Sequence, residues 1–251
     1  DVLSKYAKST LIHCAANWNG FNLDRDILEN NTSVTLNILN NLPNDISRFV
    51  YISSAGVYSD GYSTERGSQI TATNSYGFSK QISEKLVREY TSYYGRPFTI
   101  WRPFHMVSPY EDSTSTGSHI CTDFSTRLIN EKETIYLDSE NWEKRIPLTW
   151  VGDIAECIVR YLTSPKMTNQ TYNIANSELR SVNEIAVMIM EAALESGLNV
   201  KTEQLIYDSQ ADISKEVIEV DWIDKLNIAT GWKAKSDYAA TIKNFIAERF
   251  Q

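Results

Sequence analysis

Glycine is sparse and unhelpfully spaced in this chain: ten in 251 residues, with no two closer than five positions apart. Gly-x-Gly-x-x-Gly, whose backbone N–H groups cradle a dinucleotide pyrophosphate, therefore occurs nowhere in the sequence. Long apolar runs are also missing. None approaches the ~18–20 residues that a membrane-spanning helix needs, and the polar Asp1–Thr10 segment does not read as a signal peptide. Basic residues are in deficit, 24 against 32 acidic, for a net charge of −8. That balance argues against nucleic acid, whose affinity is carried by Lys and Arg. The three cysteines (Cys14, Cys121, Cys157) have no metal-type spacing and cannot all pair, so they read as reduced thiols in a cytoplasmic protein. Three histidines are too scattered for a zinc site, and no metal is expected.

What is present is an alternation. Ser9–Cys14, Arg48–Ser53 and Pro97–Trp101 are short apolar runs that read as buried strands. Between them, Asp26–Leu42 and Ser75–Tyr94 carry helical periodicity; the second has Phe78, Ile82, Leu86 and Tyr90 as its apolar stripe. Strand, helix, strand, helix, strand predicts a parallel sheet with helical crossovers. From Pro103 to Gly117 the chain is polar and loop-like. Further helices are expected at His119–Asn130, Gly152–Thr163, Ser181–Glu195 and Tyr238–Phe250, with strands at Thr134–Leu137 and Thr171–Ile174. Ligands of open parallel sheets lie at the carboxyl ends of the strands, so the loops after Cys14, Ser53 and Trp101 are where chemistry is expected.

Two signals occur there. The strand ending at Ser53 runs into Ser54-Ala55-Gly56-Val57-Tyr58, which by itself is equally a turn rich in small residues. Tyr76 and Lys80 then stand four apart on one helix face. An ammonium near a phenol favours the phenolate, so such a tyrosine can exchange a proton with a substrate hydroxyl. Spacing alone is weak, since roughly 0.7 Tyr-x-x-x-Lys matches are expected by chance at this composition. An exposed amphipathic pair is the alternative.

Together with their neighbours these pieces resemble the extended short-chain dehydrogenase/reductases, the sugar-nucleotide epimerase and dehydratase group. The matching segments run in family order: Leu11-Ile12-His13-Cys14-Ala15-Ala16, Asn31-Thr32-Ser33-Val34-Thr35, Phe49 to Tyr58, Tyr76-Gly77-Phe78-Ser79-Lys80, Trp101-Arg102-Pro103-Phe104, Trp150 to Ala155, Thr171 to Ala175 and Thr230-Gly231-Trp232. The resemblance implies an α/β fold: a Rossmann-like parallel sheet with helices on both faces, its N-terminal strands missing, plus a small C-terminal α/β substrate lobe. Residues 1–117 and parts of 145–175 would form the partial cofactor domain, and 118–145 with 176–251 mainly the substrate lobe. It further implies NAD or NADP as cofactor, a nucleotide sugar as substrate, and a homodimer built on the Ser75–Tyr94 helix. Tyr76 would be the acid/base and also a cofactor-binding residue, Lys80 its partner and ribose ligand, and Ser54 would hydrogen-bond the reacting sugar oxygen. Ala15, Ala16, Ser53 and Phe104 would line the cofactor. Asn31, His105 and Arg145 would touch substrate. Asn31 also suits a helix cap, His105 a solvated loop, and Arg145, one residue out of register, a solvated face.

Relative to the family, the Gly-rich strand-turn-helix is missing, roughly 60–70 residues of the pattern. The expectation is that this sequence is part of a longer chain. The family's 4,6-dehydratases place an Asp-Glu pair where this chain has Ala55 and Gly56. Elimination needs an acid for the leaving hydroxyl, so a 4-epimerase or keto-sugar reductase is preferred. A reductase of non-sugar carbonyls, and a non-catalytic module that lost its cofactor half, are the alternatives.

Overall fold

The computed structural model describes residues 3–6, 8–18, 24–58, 72–112, 119–137, 145–207 and 224–250. Part of the expected Pro103–Gly117 loop, residues 113–117, lies outside them. The chain forms two compact units. The first comprises Asp1–Phe104, Ala155–Ile174 and Val220–Trp232; the second comprises His105–Ile154, Ala175–Glu219 and Lys233–Gln251.

The first unit holds a parallel sheet of β1 (Thr10–His13), β2 (Arg48–Ile52), β3 (Phe98–Pro103) and the strand Gln170–Ile174, in that spatial order. Between the first three strands run α1 (Arg25–Asn40) and α2 (Ser75–Tyr93). Ile12 pairs with Val50, Tyr51 with Ile100, and Arg102 with Asn173. Every expected strand and helix of this unit is present, with ends shifted by one or two residues. β3 runs two residues past Trp101, because Arg102 and Pro103 still pair with Asn173 and Ile174.

The two crossover helices start where the sequence supplies caps. Asp24 accepts from the backbone N–H groups of Asp26 and Ile27, and Asn74 from that of Gly77. Phe49, Tyr51, Phe98 and Ile100 alternate along β2 and β3 to meet Leu39 of α1 and Val87 of α2 in one core. One expectation fails in detail. The apolar stripe of α2 is not its buried face: Phe78 is 41% exposed, and Ile82, Leu86 and Tyr90 are only half-buried. Apart from Gly77 and Val87, its buried positions are polar, and most of them lie on two adjacent i, i+4 stripes. Ser75, Ser79 and Ser83 face α1, where Ser79 and Ser83 meet Asn31 and Thr35. Tyr76, Lys80 and Glu84 turn to the end of β2. Small hydroxyls allow the two helices to approach, and hydrogen bonds across the seam offset desolvation of the polar groups.

In the second unit, the expected His119–Asn130 helix is an α-helix over Ile120–Ser125 that continues as a π turn over Thr126–Asn130. The helices Val182–Glu195 and Tyr238–Phe250 follow the expected patterns. Ser181 and Glu184 close a capping box on the first of them. Ile135–Leu137 pairs in parallel with Leu205–Tyr207, a strand the sequence reading did not anticipate. The three cysteines are unpaired. Among the described residues no helix is long and apolar enough to cross a membrane, and no group of three or more His, Cys, Asp or Glu could hold a metal ion.

Candidate active site

Gly77 explains how Tyr76 and Ser54 come together. A Cβ at Gly77 would stand 2.0 Å from the Gly56 carbonyl oxygen, a contact no side-chain-bearing residue tolerates. Glycine there lets the first turn of α2 lie directly on the turn that follows β2. A Cβ built on Gly56 would meet Ser54 Oγ at 3.4 Å and Tyr76 Cδ1 at 3.8 Å, so the three residues are in close contact. Ser54 Oγ accepts from the Gly56 N–H at 3.0 Å, and the Ser54 hydroxyl is near enough to the Tyr76 phenol to favour its ionised form. Trp18, in the segment after β1, packs edge-on against the Tyr76 ring with centroids 4.5 Å apart.

Lys80 is 2% exposed. Its Nζ donates to the Ile52 carbonyl at 2.8 Å and lies 5.0 Å from the Tyr51 ring centroid and 5.6 Å from that of Tyr76. Burial lowers its pKa to about 8, against the opposing effect of Cys14 and Glu84. Burial also pushes the Tyr76 phenol up to about 12, and the neighbouring Ser54 hydroxyl only partly opposes this. The expected acidification of the phenol by Lys80 is not among the causes of that shift, and at neutral pH the hydroxyl carries its proton.

The other residues singled out in the sequence are placed as follows. Ala15 and Ala16 are exposed after β1 and offer only methyl groups. Ser53 is buried and donates to Glu84 Oε1 at 2.6 Å. Phe104 is fully buried, its ring 6.1 Å from that of Tyr58. Asn31 is buried: its Oδ1 accepts from Asn17 N at 2.6 Å, and its Nδ2 donates to Asn17 O and Ser79 Oγ, both at 3.0 Å. That amide clips the segment before Trp18 to α2. These residues all belong to the first unit. His105 and Arg145 belong to the second. His105 adopts a left-handed backbone (φ 35°), a conformation uncommon outside glycine, and its carbonyl accepts from Thr149 N. Arg145 sits half-buried on a two-residue strand opposite Ser181.

Sequence reasoning missed the charged residues behind the site. Arg102 grips Glu84 with two nitrogens at 2.8 and 2.6 Å, and both side chains are under 10% exposed. Tyr58 joins Arg102 to Asn173, and Arg88 approaches Glu84 at 3.3 Å from the solvent side. Burial alone would raise the pKa of Glu84, but the hydrogen bonds and charge of Arg102 reverse this and hold it below the ordinary carboxylate value. A signal was available: Glu84 continues the Tyr76–Lys80 spacing by one turn, and Arg102 is a lone charge in an apolar strand, where it requires a partner.

His13 was also missed. It is 2% exposed, with Nε2 3.0 Å from Thr35 Oγ1. Burial, assisted by the Lys80 charge, lowers its pKa to about 4. The unfolded chain, with a histidine near 6.5, therefore binds more protons than the native one between about pH 6.5 and 4, and stability falls on acidification through that window. Acidifying from pH 7.5 to 5 is expected to remove about 1–2 kcal/mol through this group. Thermal melts across that range check it: His13→Asn should flatten the slope, and an unchanged slope would refute the assignment.

The Lys80 ammonium bears on whether these residues suit a nicotinamide cofactor. It has three N–H bonds, and among the described residues one hydrogen bond is formed, to Ile52. A buried donor with capacity beyond that bond fits a ribose diol. The sequence carries no Gly-rich pyrophosphate turn.

Residues 1–175 match the model of the NAD dependent epimerase/dehydratase family. A protein of Methanocaldococcus jannaschii, provisionally named a UDP-glucose 4-epimerase, is 24% identical over 245 residues, which is 94% of this chain and 75% of that protein. Among solved structures, RMD from Pseudomonas aeruginosa complexed with NADPH superposes with a TM-score of 0.74 at 18% identity, covering 96% of this chain and 80% of that one. dTDP-glucose 4,6-dehydratase from Bacillus anthracis in complex with NAD gives 0.73 at 15% identity, covering 96% and 72%. At these identities the structures establish the fold alone. With its parallel sheet, its Tyr76–Lys80 helix and a family match over more than two-thirds of its length, this chain belongs to the NAD dependent epimerase/dehydratase family.

Proposed function

We propose that the chain is a sugar-nucleotide 4-epimerase or keto-sugar reductase that uses NAD or NADP. The reading is carried by the Ser54 hydroxyl and the Tyr76 phenol, brought together across Gly56, beside a buried ammonium that makes one hydrogen bond among the described residues. The nicotinamide, when bound, supplies a hydride acceptor and donor. The protein's part is the proton. Ser54 orients the reacting sugar oxygen, and Tyr76, protonated at neutral pH, gives a proton to a carbonyl oxygen or, as phenolate, removes one from the corresponding hydroxyl. Lys80, mostly charged at pH 7, favours the phenolate and holds the ribose. Ala55 and Gly56, the first of them buried, provide no acid for a leaving hydroxyl, which supports epimerisation or reduction over dehydration. Within this reading Ala15, Ala16, Ser53 and Phe104 border the cofactor, Asn31 holds the Trp18 segment, and His105 and Arg145 serve the sugar nucleotide. The first unit takes the cofactor and the second the substrate.

The protein works in the cytoplasm, where unpaired Cys14, Cys121 and Cys157 stay reduced. It is a homodimer through α2, where Phe78, Tyr93 and the Tyr94 that follows are 41–83% exposed; sedimentation as a monomer at micromolar concentration would remove this assignment. The test of function is incubation of the full-length protein with NAD or NADP and UDP-hexoses, followed by proton NMR of the anomeric signals. Interconversion of C4 epimers with no net cofactor change is the expected result. Stoichiometric cofactor oxidation with a keto-sugar would select the reductase. Absence of both cofactor binding and turnover would overturn the enzyme reading.

A further inference from the structure

Three successive turns of α2 hold three successive residues at the end of β2. Lys80 Nζ takes the Ile52 carbonyl, Glu84 takes the Ser53 hydroxyl, and Tyr76 stands near Ser54 across Gly56. Two of these three belong to the Ser–Tyr–Lys reading; Glu84 does not. We propose that Glu84 is a positioning residue for the Ser54–Tyr76–Lys80 site, gripping Ser53 on the strand that carries Ser54 and facing Lys80 from the next helical turn. This rests on the function proposed above.

The arrangement is more than one ion pair. The Glu84 carboxylate accepts from Ser53 at 2.6 Å and from Arg102 at 2.8 and 2.6 Å, and it meets Arg88 at 3.3 Å. Arg102 is fixed in turn by its place in β3, paired with Asn173, and by Tyr58, whose hydroxyl also donates to Asn173 Oδ1 at 2.9 Å. The carboxylate therefore cannot follow α2 alone; it ties the helix to β2 and β3 together. A serine held by a charged acceptor is held harder than one held by a neutral acceptor, and Ser54 is the next residue along.

The second consequence is electrostatic. Lys80 is faced by His13 and Cys14 from β1 and the segment after it, by Tyr51 from β2, and by Tyr76 and Glu84 from its own helix. At neutral pH His13 is neutral and the phenols carry their protons. The Cys14 thiol is raised by burial, so it too holds its proton. Glu84 is then the anion that supports the ammonium. Without its charge, buried Lys80 and Arg102 would have no carboxylate partner among the described residues.

The experiment uses Glu84→Gln, which keeps an acceptor for Ser53 and removes the charge, and Glu84→Asp, which keeps the charge and withdraws it from Ser53. Lys80 is titrated in cofactor-free protein by NMR of carbon-13-labelled lysine, assigned with Lys80→Arg. In Glu84→Gln the Lys80 midpoint is expected to fall by roughly one unit, with kcat at pH 8 lower by about tenfold and KM changed less than twofold. In Glu84→Asp the midpoint should stay while kcat falls. An unmoved Lys80 midpoint with unaltered kcat in either soluble variant, accompanied only by a lower melting temperature, would reduce Glu84 to a structural ion pair and overturn the proposal. Failure of the function reading shows separately, as full turnover in Tyr76→Phe, whereas the Lys80 titration needs no turnover.

Discussion

Tyr76→Phe should lower kcat by about 10²–10⁴-fold, the range lost when a positioned proton-transfer group is removed, while leaving nicotinamide affinity within a few-fold. The substitution deletes one oxygen. Ser54 keeps its bond to the Gly56 N–H, Gly77 keeps its contact with Gly56, and Trp18 keeps a ring edge to pack on, so the site retains its shape. Lys80 retains its bond to the Ile52 carbonyl. The loss should therefore appear in turnover and not in binding, as measured by steady-state kinetics beside cofactor fluorescence titration. Turnover near that of the unmodified protein would remove the phenol from the proton path. Loss of cofactor affinity by more than tenfold would instead make Tyr76 a binding residue.

The second large effect concerns stability. Arg102→Leu should destabilise the protein by about 3 kcal/mol, the lower end of what breaking a buried pair costs, because it leaves Glu84 charged and desolvated. The lower end applies because Arg88, 39% exposed, still approaches the same carboxylate. A shift of roughly 6–12 °C in melting temperature corresponds to that energy for a chain of this size. The pH dependence separates this from a packing defect. In the unmodified protein Glu84 has a lowered pKa, so its stabilising contribution is complete above the ordinary carboxylate value and is lost only as pH falls below it. In the variant, burial without Arg102 raises that pKa, and protonation relieves the penalty as pH falls. The gap in melting temperature should therefore narrow between pH 7.5 and 5. A gap that is constant across this range, or smaller than about 1 kcal/mol, would show that the pair is not what holds β3 to α2.

Periodicity made the first unit legible because its signals are local. β1, β2, β3, α1 and α2 lie within one or two residues of their expected places, and Tyr76 and Lys80 share a helix face on spacing alone. The short pairings Arg145–Ile146 with Arg180–Ser181 and Met106–Val107 with Thr149–Trp150 were not legible. Two-residue strands carry no period, and their partners lie about 35–45 residues away along the chain. The buried face of α2 was misjudged for a related reason. A hydrophobic stripe predicts burial only when apolar contact is what holds a helix in place, and here hydroxyls and charges on neighbouring elements supply much of the attachment.

The sequence by itself determined the alternation of strands and helices and the four-residue offset that puts Tyr76 and Lys80 on one helix face, because each depends on residues within one or two turns of each other. Only the tertiary structure decided that Gly77 lies against the Gly56 carbonyl, that Glu84 and Arg102 are partners, that Asn31 holds the Asn17 backbone, and that burial sets the Tyr76 proton. Those outcomes depend on which distant side chains exclude water from which groups, and desolvation is a property of the assembled core that no local spacing encodes.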